Sequence, residues 1–249
     1  MSPIQQMLLG AGGAAVATKT YVDDVFSTFL YTGTGSAQTI NNGIDLANEG
    51  GMVWFKPRTT GGSSYNNHSI VDTARVDSSG RGKSIYPNLT EAEYSPEGTA
   101  NITTSFNSNG FTTGTNANNA TNTQTLASWT FRKAPGFFDV VTYTGNATAG
   151  RTVAHSLGSI PGCIMVKCTT DSRPWAVYHR GMGNGKSMPL NGNNAEHDST
   201  TYWNDTDPTA SVFTVGTAND TNKSGETYVA YLFAGGESTA ATARSVEFD

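Results

Sequence analysis

Five short strings in this 249-residue chain occur twice, in the same order. Tyr31-Thr-Gly33 recurs as Tyr143-Thr-Gly145, and Gly51-Met-Val-Trp-Phe-Lys56 as Gly162-Cys-Ile-Met-Val-Lys167. Gly80-Arg-Gly-Lys-Ser84 recurs as Gly183-Asn-Gly-Lys-Ser187, and Phe111-Thr-Thr-Gly-Thr115 as Phe213-Thr-Val-Gly-Thr217. Ala127-Ser-Trp-Thr-Phe131 recurs as Val229-Ala-Tyr-Leu-Phe233. The separation drifts only from 112 to 102 residues. Ordered matches at a near-constant separation mark a duplicated unit. Apolar runs and turn glycines recur, so a shape was copied. No obvious reactive group was copied with it.

The repeat predicts two modules, residues 30–136 and 137–236, separated by a turn at Pro135-Gly136. Met52 to Phe55 and Cys163 to Val166 are continuously apolar, as in strands buried on both faces. Leu126 to Phe131 and Tyr228 to Phe233 are rich in aromatic and β-branched residues. Turn clusters such as Thr59-Thr-Gly-Gly-Ser-Ser64 and Asn191-Gly-Asn-Asn194 punctuate these runs. The expected fold is all-β: two tandem, homologous antiparallel β-sandwich modules after a short helical N-terminal segment. A short connection also predicts a fixed relative orientation, the habit of a rod or stalk.

The ends do not repeat. In residues 1–29, Tyr21, Val25 and Phe29 fall at i, i+4 and i+8, one face of a helix over Thr20 to Phe29. Thr20 would cap it, with Asp23 three residues later. Ten residues make a marginal helix in water, so this stripe is read as a docking peg that another chain covers. Residues 237–249 form a linker ending in Ala243-Arg-Ser-Val-Glu-Phe-Asp249, which alternates like a strand. An unpaired strand at a chain end is a liability, so it either pairs with its own module or, the reading preferred here, leads into a further domain.

Charged residues make up 14% of the chain, against roughly 25% in an average globular protein. Thr, Ser, Asn and Gly take their place. The net charge is -5, and Arg132-Lys133 is the sole adjacent basic pair. Nucleic-acid binders neutralise phosphate with clustered Lys and Arg, so nucleic acid is not an expected partner. No apolar run approaches the roughly 20 residues that span a bilayer, and membrane insertion is not expected. Met7 to Ala17 is apolar, but no Lys or Arg precedes it and three glycines interrupt it, which argues against a secretory signal. Cys163 and Cys168 share one expected strand about 16 Å apart, too far for a disulfide.

Motifs that suggest chemistry have plainer readings. Gly10-Ala-Gly-Gly-Ala-Ala15 fits a dinucleotide fingerprint, but no βαβ pattern follows. Gly181 to Ser187 resembles a phosphate loop, yet Arg180 stands where its first glycine belongs. Both Gly-x-Gly-Lys-Ser strings read as turns leading to strands. His68, His155, His179 and His197 have no metal-ligand spacing and read as single loop residues. Asp198, Asp205 and Asp207 near Tyr202-Trp203 offer oxygen ligands for Ca²⁺, or an aromatic and acidic surface for a sugar. Glu91, Glu93 and Glu97 are candidate paired carboxylates whose separation the sequence does not give. No catalytic residue, metal ligand or cofactor is assigned.

Several longer strings are similar to a known class. Ser2-Pro-Ile-Gln-Gln-Met-Leu-Leu-Gly10 with Thr18-Lys-Thr-Tyr-Val22 resembles the opening of tail-fibre-like structural proteins of marine tailed bacteriophages. Trp129 to Gly145, Ala154-His-Ser-Leu-Gly158, Trp175 to Arg180 and Thr227 to Ala234 share the resemblance. It implies an N-terminus that attaches to the virion and modules that project outward. The expected function is therefore a non-enzymatic virion structural protein, the attachment and stalk region of a tail fibre. It would form a homotrimer, meet other tail proteins through its N-terminus and position a host-recognition element. The alternatives are a module that binds or cleaves host-surface glycans, and a capsid decoration protein.

Overall fold

A computed structural model describes residues 20–59, 67–94, 102–116 and 120–236. The fold is predominantly β, built from several antiparallel sheets. Helix is confined, among the described residues, to single turns such as Val22–Val25, Leu46–Glu49, Thr200–Trp203 and Asn219–Asn222.

In the first half, β1 (Phe26–Thr32), β7 (Thr125–Arg132), β3 (Gly51–Pro57) and β4 (Ser69–Asp72) form one sheet in that order. In the second half, β8 (Phe138–Thr144), β15 (Thr227–Ala234), β10 (Pro161–Cys168) and β11 (Ala176–His179) form another. Each sheet thus runs first strand, last strand, third strand, fourth strand of its half. A smaller sheet accompanies each. It is β2 (Thr39–Asn41), β6 (Gly110–Thr113) and β5 (Thr103–Asn107) in the first half, and β14 (Val212–Val215) with β9 (Arg151–Ala154) in the second. The remaining pair is β12 (Lys186–Ser187) with β13 (His197–Asp198).

The repeated strings occupy equivalent places. The apolar runs are β3 and β10, both second from an edge, and β7 and β15, both central. Gly33 donates its N–H to the Gln124 carbonyl and Gly145 to the Glu226 carbonyl, each at 2.8 Å, just ahead of those central strands. A Cβ on Gly33 would collide with Thr121 O, and one on Gly145 with Lys223 O. Close backbone approach therefore requires glycine at both positions.

Strand alternation divides the side chains among three apolar clusters. Val53 and Phe55 of β3 meet Tyr31, Ile40, Val71, Phe111 and Leu126 in the first. Ile164 and Val166 of β10 meet Tyr143, Val153, Phe213, Tyr228 and Leu232 in the second. Opposite faces of the same strands build a third cluster between the halves. Met52 and Ile70 meet Phe138, Val140, Met165, Trp175, Val229 and Tyr231 there. The four-stranded sheets are covered on both sides, so even the polar Ser128 and Thr130 of β7 are buried. The halves are in contact across this cluster. They pack sheet against sheet through a common core and not end to end. Their connection is a turn at Pro135–Phe137 closed by the Ala134↔Phe138 bridge.

A polar network also crosses this interface. Arg75 Nε and Nη2 donate to Asp72 Oδ2 at 2.9 and 2.6 Å. Its Nη1 donates to Glu93 Oε2 at 2.9 Å. Tyr231 of the second half donates its hydroxyl to the same Asp72 oxygen at 2.6 Å and accepts from Arg75 Nη2 at 3.1 Å. Burial alone would pull the Arg75 guanidinium down, but Asp72, Tyr231 and Glu93 hold it above its ordinary value.

The helix expected over Thr20 to Phe29 is corrected. One turn forms, starting at Tyr21 and not Thr20, and Asp24 Oδ2 accepts the Tyr21 N–H at 2.8 Å. From Phe26 the chain is strand, in register with β7 from Phe26↔Phe131 to Thr32↔Thr125. A lone ten-residue helix gains only its own hydrogen bonds, whereas β1 gains a full ladder and buries alternate side chains. The first sheet therefore begins inside the 1–29 segment. The C-terminal strand expected at 243–249 lies outside the described residues.

The common core predicts a single cooperative unfolding transition for both halves. Phe138 is fully buried among Phe131, Tyr231 and Phe233. Phe138→Ala should destabilise the whole protein by about 3–5 kcal/mol. Calorimetry should show one shifted peak, and two separate peaks would refute the shared core.

Candidate functional site

The proposed docking stripe does not assemble. Tyr21 is 40% exposed, Val25 is 4% exposed, and Phe29 packs on the first apolar cluster from β1. Of the three, Tyr21 alone is free to meet a partner. The apolar surface offered nearby is Tyr21, Val22 and Leu30, the last 58% exposed on edge strand β1.

Of the two aromatic residues beside the acidic group of the second half, Trp203 turns inward. Trp203 is buried against Tyr178, with ring centroids 5.9 Å apart. Asp207 accepts from Asn184 Nδ2 at 2.9 Å, while Asp198 sits in β13 opposite Lys186. No group of three His, Cys, Asp or Glu side chains able to hold a metal occurs among the described residues. The Ca²⁺ reading of Asp198, Asp205 and Asp207 therefore has no geometry behind it. Asn204 and Asp205 both adopt positive φ, 55° and 45°, as the chain leaves the Thr200–Trp203 turn. Asx residues tolerate that conformation.

Tyr202, in contrast, lines a cleft of about 240 Å³ with Pro189, Asn191, Asn194, His197 and Asp220. The elements around it are β13, the Thr200–Trp203 turn and the Asn219–Asn222 turn. The Tyr202 hydroxyl donates to Asp220 Oδ2 at 3.1 Å. Burial, then Asp220, pushes that phenol up to about 12, so it stays protonated and keeps donating. His197 stands edge-on to the Tyr202 ring, centroids 4.9 Å apart at 75°. Asn191 Oδ1 accepts the Trp175 N–H at 2.8 Å, which fixes its amide with Nδ2 left over. The side chains of Asn194 and His197 have no hydrogen-bond partner among the described residues. Sequence reasoning reached Tyr202 through its acidic surroundings. It missed Asn191, Asn194, His197 and Asp220 as a group, because 29 residues of chain separate them and only folding brings them together.

The other candidates serve the fold. Gly80 to Ser84 is a turn: Gly80 has φ 76°, Gly82 bridges to Val76 and Thr103, and Lys83 pairs with Glu93 at 3.0 Å. Gly183 to Ser187 is a turn into β12. The second matches the turn-to-strand reading, whereas the first leads only into isolated bridges at Gly82, Ser84 and Ile85. Glu93 is spent on Arg75 and Lys83, Glu91 is exposed, and Glu97 lies outside the described residues, as does Gly10 to Ala15. The single-loop reading holds for His68 and His155, which lie outside helix and strand, and is corrected for His179 and His197. His68 Nδ1 accepts from Trp54 Nε1 at 2.9 Å, and burial lowers its pKa. His155 is buried after β9, and His179 and His197 lie in strands. Cys163 and Cys168 are free thiols on β10, and burial pushes Cys163 up to about 11.

Lys167 was not singled out in sequence beyond closing a repeated string. It is fully buried, and its ammonium donates to the Cys168 carbonyl at 2.7 Å. Burial lowers it from 10.5 to about 8, against the opposing pull of Cys168, Asp220 and Asp171. The folded state therefore holds this proton less tightly than the unfolded chain, and stability rises with pH between about 8 and 10.5. That displacement corresponds to about 3 kcal/mol. Lys167→Met should stabilise the protein by about that amount at pH 7, and the gain should vanish above the unfolded lysine value. Urea denaturation at several pH values measures it; a gain independent of pH would refute the buried cation.

A family model described as a domain of unknown function (DUF7483) matches residues 22–241, a span that takes in both halves. No curated protein and no solved structure matches the chain.

Proposed function

The chain belongs to the DUF7483 family, whose description assigns no activity, and we propose that it is a non-enzymatic virion structural protein. In this reading it is the attachment and stalk region of a phage tail fibre, a homotrimer that positions a host-recognition element. Its halves are two copies of one antiparallel β-sandwich unit, a reading supported by the matching strand orders. The observation that carries the proposal is the third apolar cluster. A spacer must keep its length and angle under load, and a common core removes the hinge that an ordinary interdomain linker would leave. The phage-like strings in the sequence supply the context. The match of one family model across both halves agrees with a unit that functions whole.

Trimerisation would cover the exposed Leu30, Tyr21 and Val22 around edge strand β1. Three chains would also multiply weak contacts to repeated receptors. Native mass spectrometry of the purified protein should give three times the 26.2 kDa chain mass. Leu30→Asp should shift it to monomer while the far-ultraviolet spectrum stays unchanged. A monomer in the parent protein would refute the trimer.

Attachment is tested by truncation, and the cut must respect β1. Removing residues 1–29 would delete half of an edge strand. Removing residues 1–19 should leave the melting temperature unchanged and abolish incorporation into virions. Normal incorporation of the short truncation would defeat the docking role, and labelling on the capsid would favour a decoration protein.

A further inference from the structure

We infer that the cleft between Pro189, Asn191, Asn194, His197, Tyr202 and Asp220 is a binding site for one neutral sugar ring of a host-surface glycan. The size fits first. At about 240 Å³ the cleft is smaller than the roughly 300–1,000 Å³ of pockets for drug-sized ligands. It suits a single pyranose with one end in solvent, the geometry of a unit within a longer chain.

The chemistry of the lining fits next. A pyranose has an apolar C–H face and a rim of hydroxyls that both donate and accept. The Tyr202 ring, the Pro189 ring and the edge-on His197 give an apolar, aromatic wall. The rim needs planar groups with both functions. Asn194 offers a whole amide, Asn191 its remaining Nδ2, and His197 one donor and one acceptor when neutral. Asp220 accepts from Tyr202 through one oxygen, and its other oxygen lies 3.9 Å from Arg173. That carboxylate can accept a sugar hydroxyl. It also opposes an anionic sugar, as does the net charge of -5.

The site is partly built in advance. The Trp175 N–H holds the Asn191 amide, and Asp220 holds the Tyr202 hydroxyl, so both groups are oriented before a ligand arrives. Trp175 is itself locked by the third cluster and by its Nε1 bond to the Tyr86 carbonyl at 3.0 Å. The cleft thus stands on the rigid common core while its polar groups sit on surface segments, the usual division between scaffold and recognition. A larger cleft, about 580 Å³ beside Gly50, Thr73, Val76 and Phe106, lacks this character. Its charged members are already paired, Glu49 with Arg132 and Lys133 with Asp139.

The test is saturation-transfer NMR and titration on the full chain. The probes are methyl glycosides of neutral hexoses and N-acetylhexosamines, with methyl glucuronide as the anionic control. At least one neutral glycoside should bind, with affinity near the millimolar range of a single small site, about 1 mM. Asn194→Ala and His197→Ala, both on exposed side chains, should each weaken it at least tenfold with an unchanged melting temperature. Tyr202→Phe, which keeps the ring, should weaken it less than His197→Ala. Absence of binding by every neutral glycoside up to its solubility limit would overturn the site. So would affinity indifferent to both alanine variants, or binding of the glucuronide alone. The assay uses purified protein, so its failure would not touch the proposal of virion assembly, which truncation tests separately.

Discussion

Burial of both faces of the two four-stranded sheets is the constraint on which the rest of this molecule depends. One face of each sheet closes over the core of its own half, and the other face closes against the opposite half. Val53 and Phe55 face one way, Met52 and Trp54 the other, and neither pair can become polar without exposing a core to water. Low charge elsewhere in the chain is consistent with so much surface being internal. The same packing abolishes a hinge. Two units joined by a turn could still rotate; two units that share Phe138, Met165, Trp175 and Tyr231 with Met52 and Ile70 cannot.

Such an interface has to handle the polar groups caught inside it. Asp72, Arg75 and Tyr231 satisfy one another at 2.6 to 3.1 Å, and Glu93 completes the set. Breaking such a buried set leaves a charge without a partner, which is far more damaging than never having built it. It therefore specifies how the halves dock as well as holding them. Lys167 is the opposite case. A single carbonyl partner among the described residues leaves its ammonium poorly satisfied, and stability is lost to keep it charged at neutral pH. Nothing in the geometry explains why lysine stands there, beyond its occupying the position of Lys56 in the repeat.

The fold was legible where a residue's role depends on its near neighbours. Alternation and apolar runs gave β3, β7, β10 and β15, and glycine gave the turns at Gly80 and Gly183. Legibility failed where two local patterns competed. Tyr21, Val25 and Phe29 satisfy a helical period, but Phe29 and Tyr31 equally satisfy a strand period. The ladder on β7, about a hundred residues away, decided between them. The cleft was nearly invisible for the same reason. Tyr202 stood out beside its acidic neighbours, yet the partners that matter are Asn191, His197 and Asp220. None of these belongs to a motif, and Trp203, which looked equivalent to Tyr202, turned inward.

The sequence alone determined that the chain is β-rich, that five short strings recur about a hundred residues apart, and which strands are covered on both sides. These follow from local periodicity and from turn chemistry such as that at Gly80 and Gly183, which act between chain neighbours or on the backbone itself. Tertiary structure alone decided that the halves share a core, that Phe26 begins a strand, that Lys167 is buried, and that an oriented cleft forms beside Tyr202. Each of those depends on contacts between residues far apart in the chain. Such contacts are fixed by how whole sheets pack, a property that no short window of residues contains.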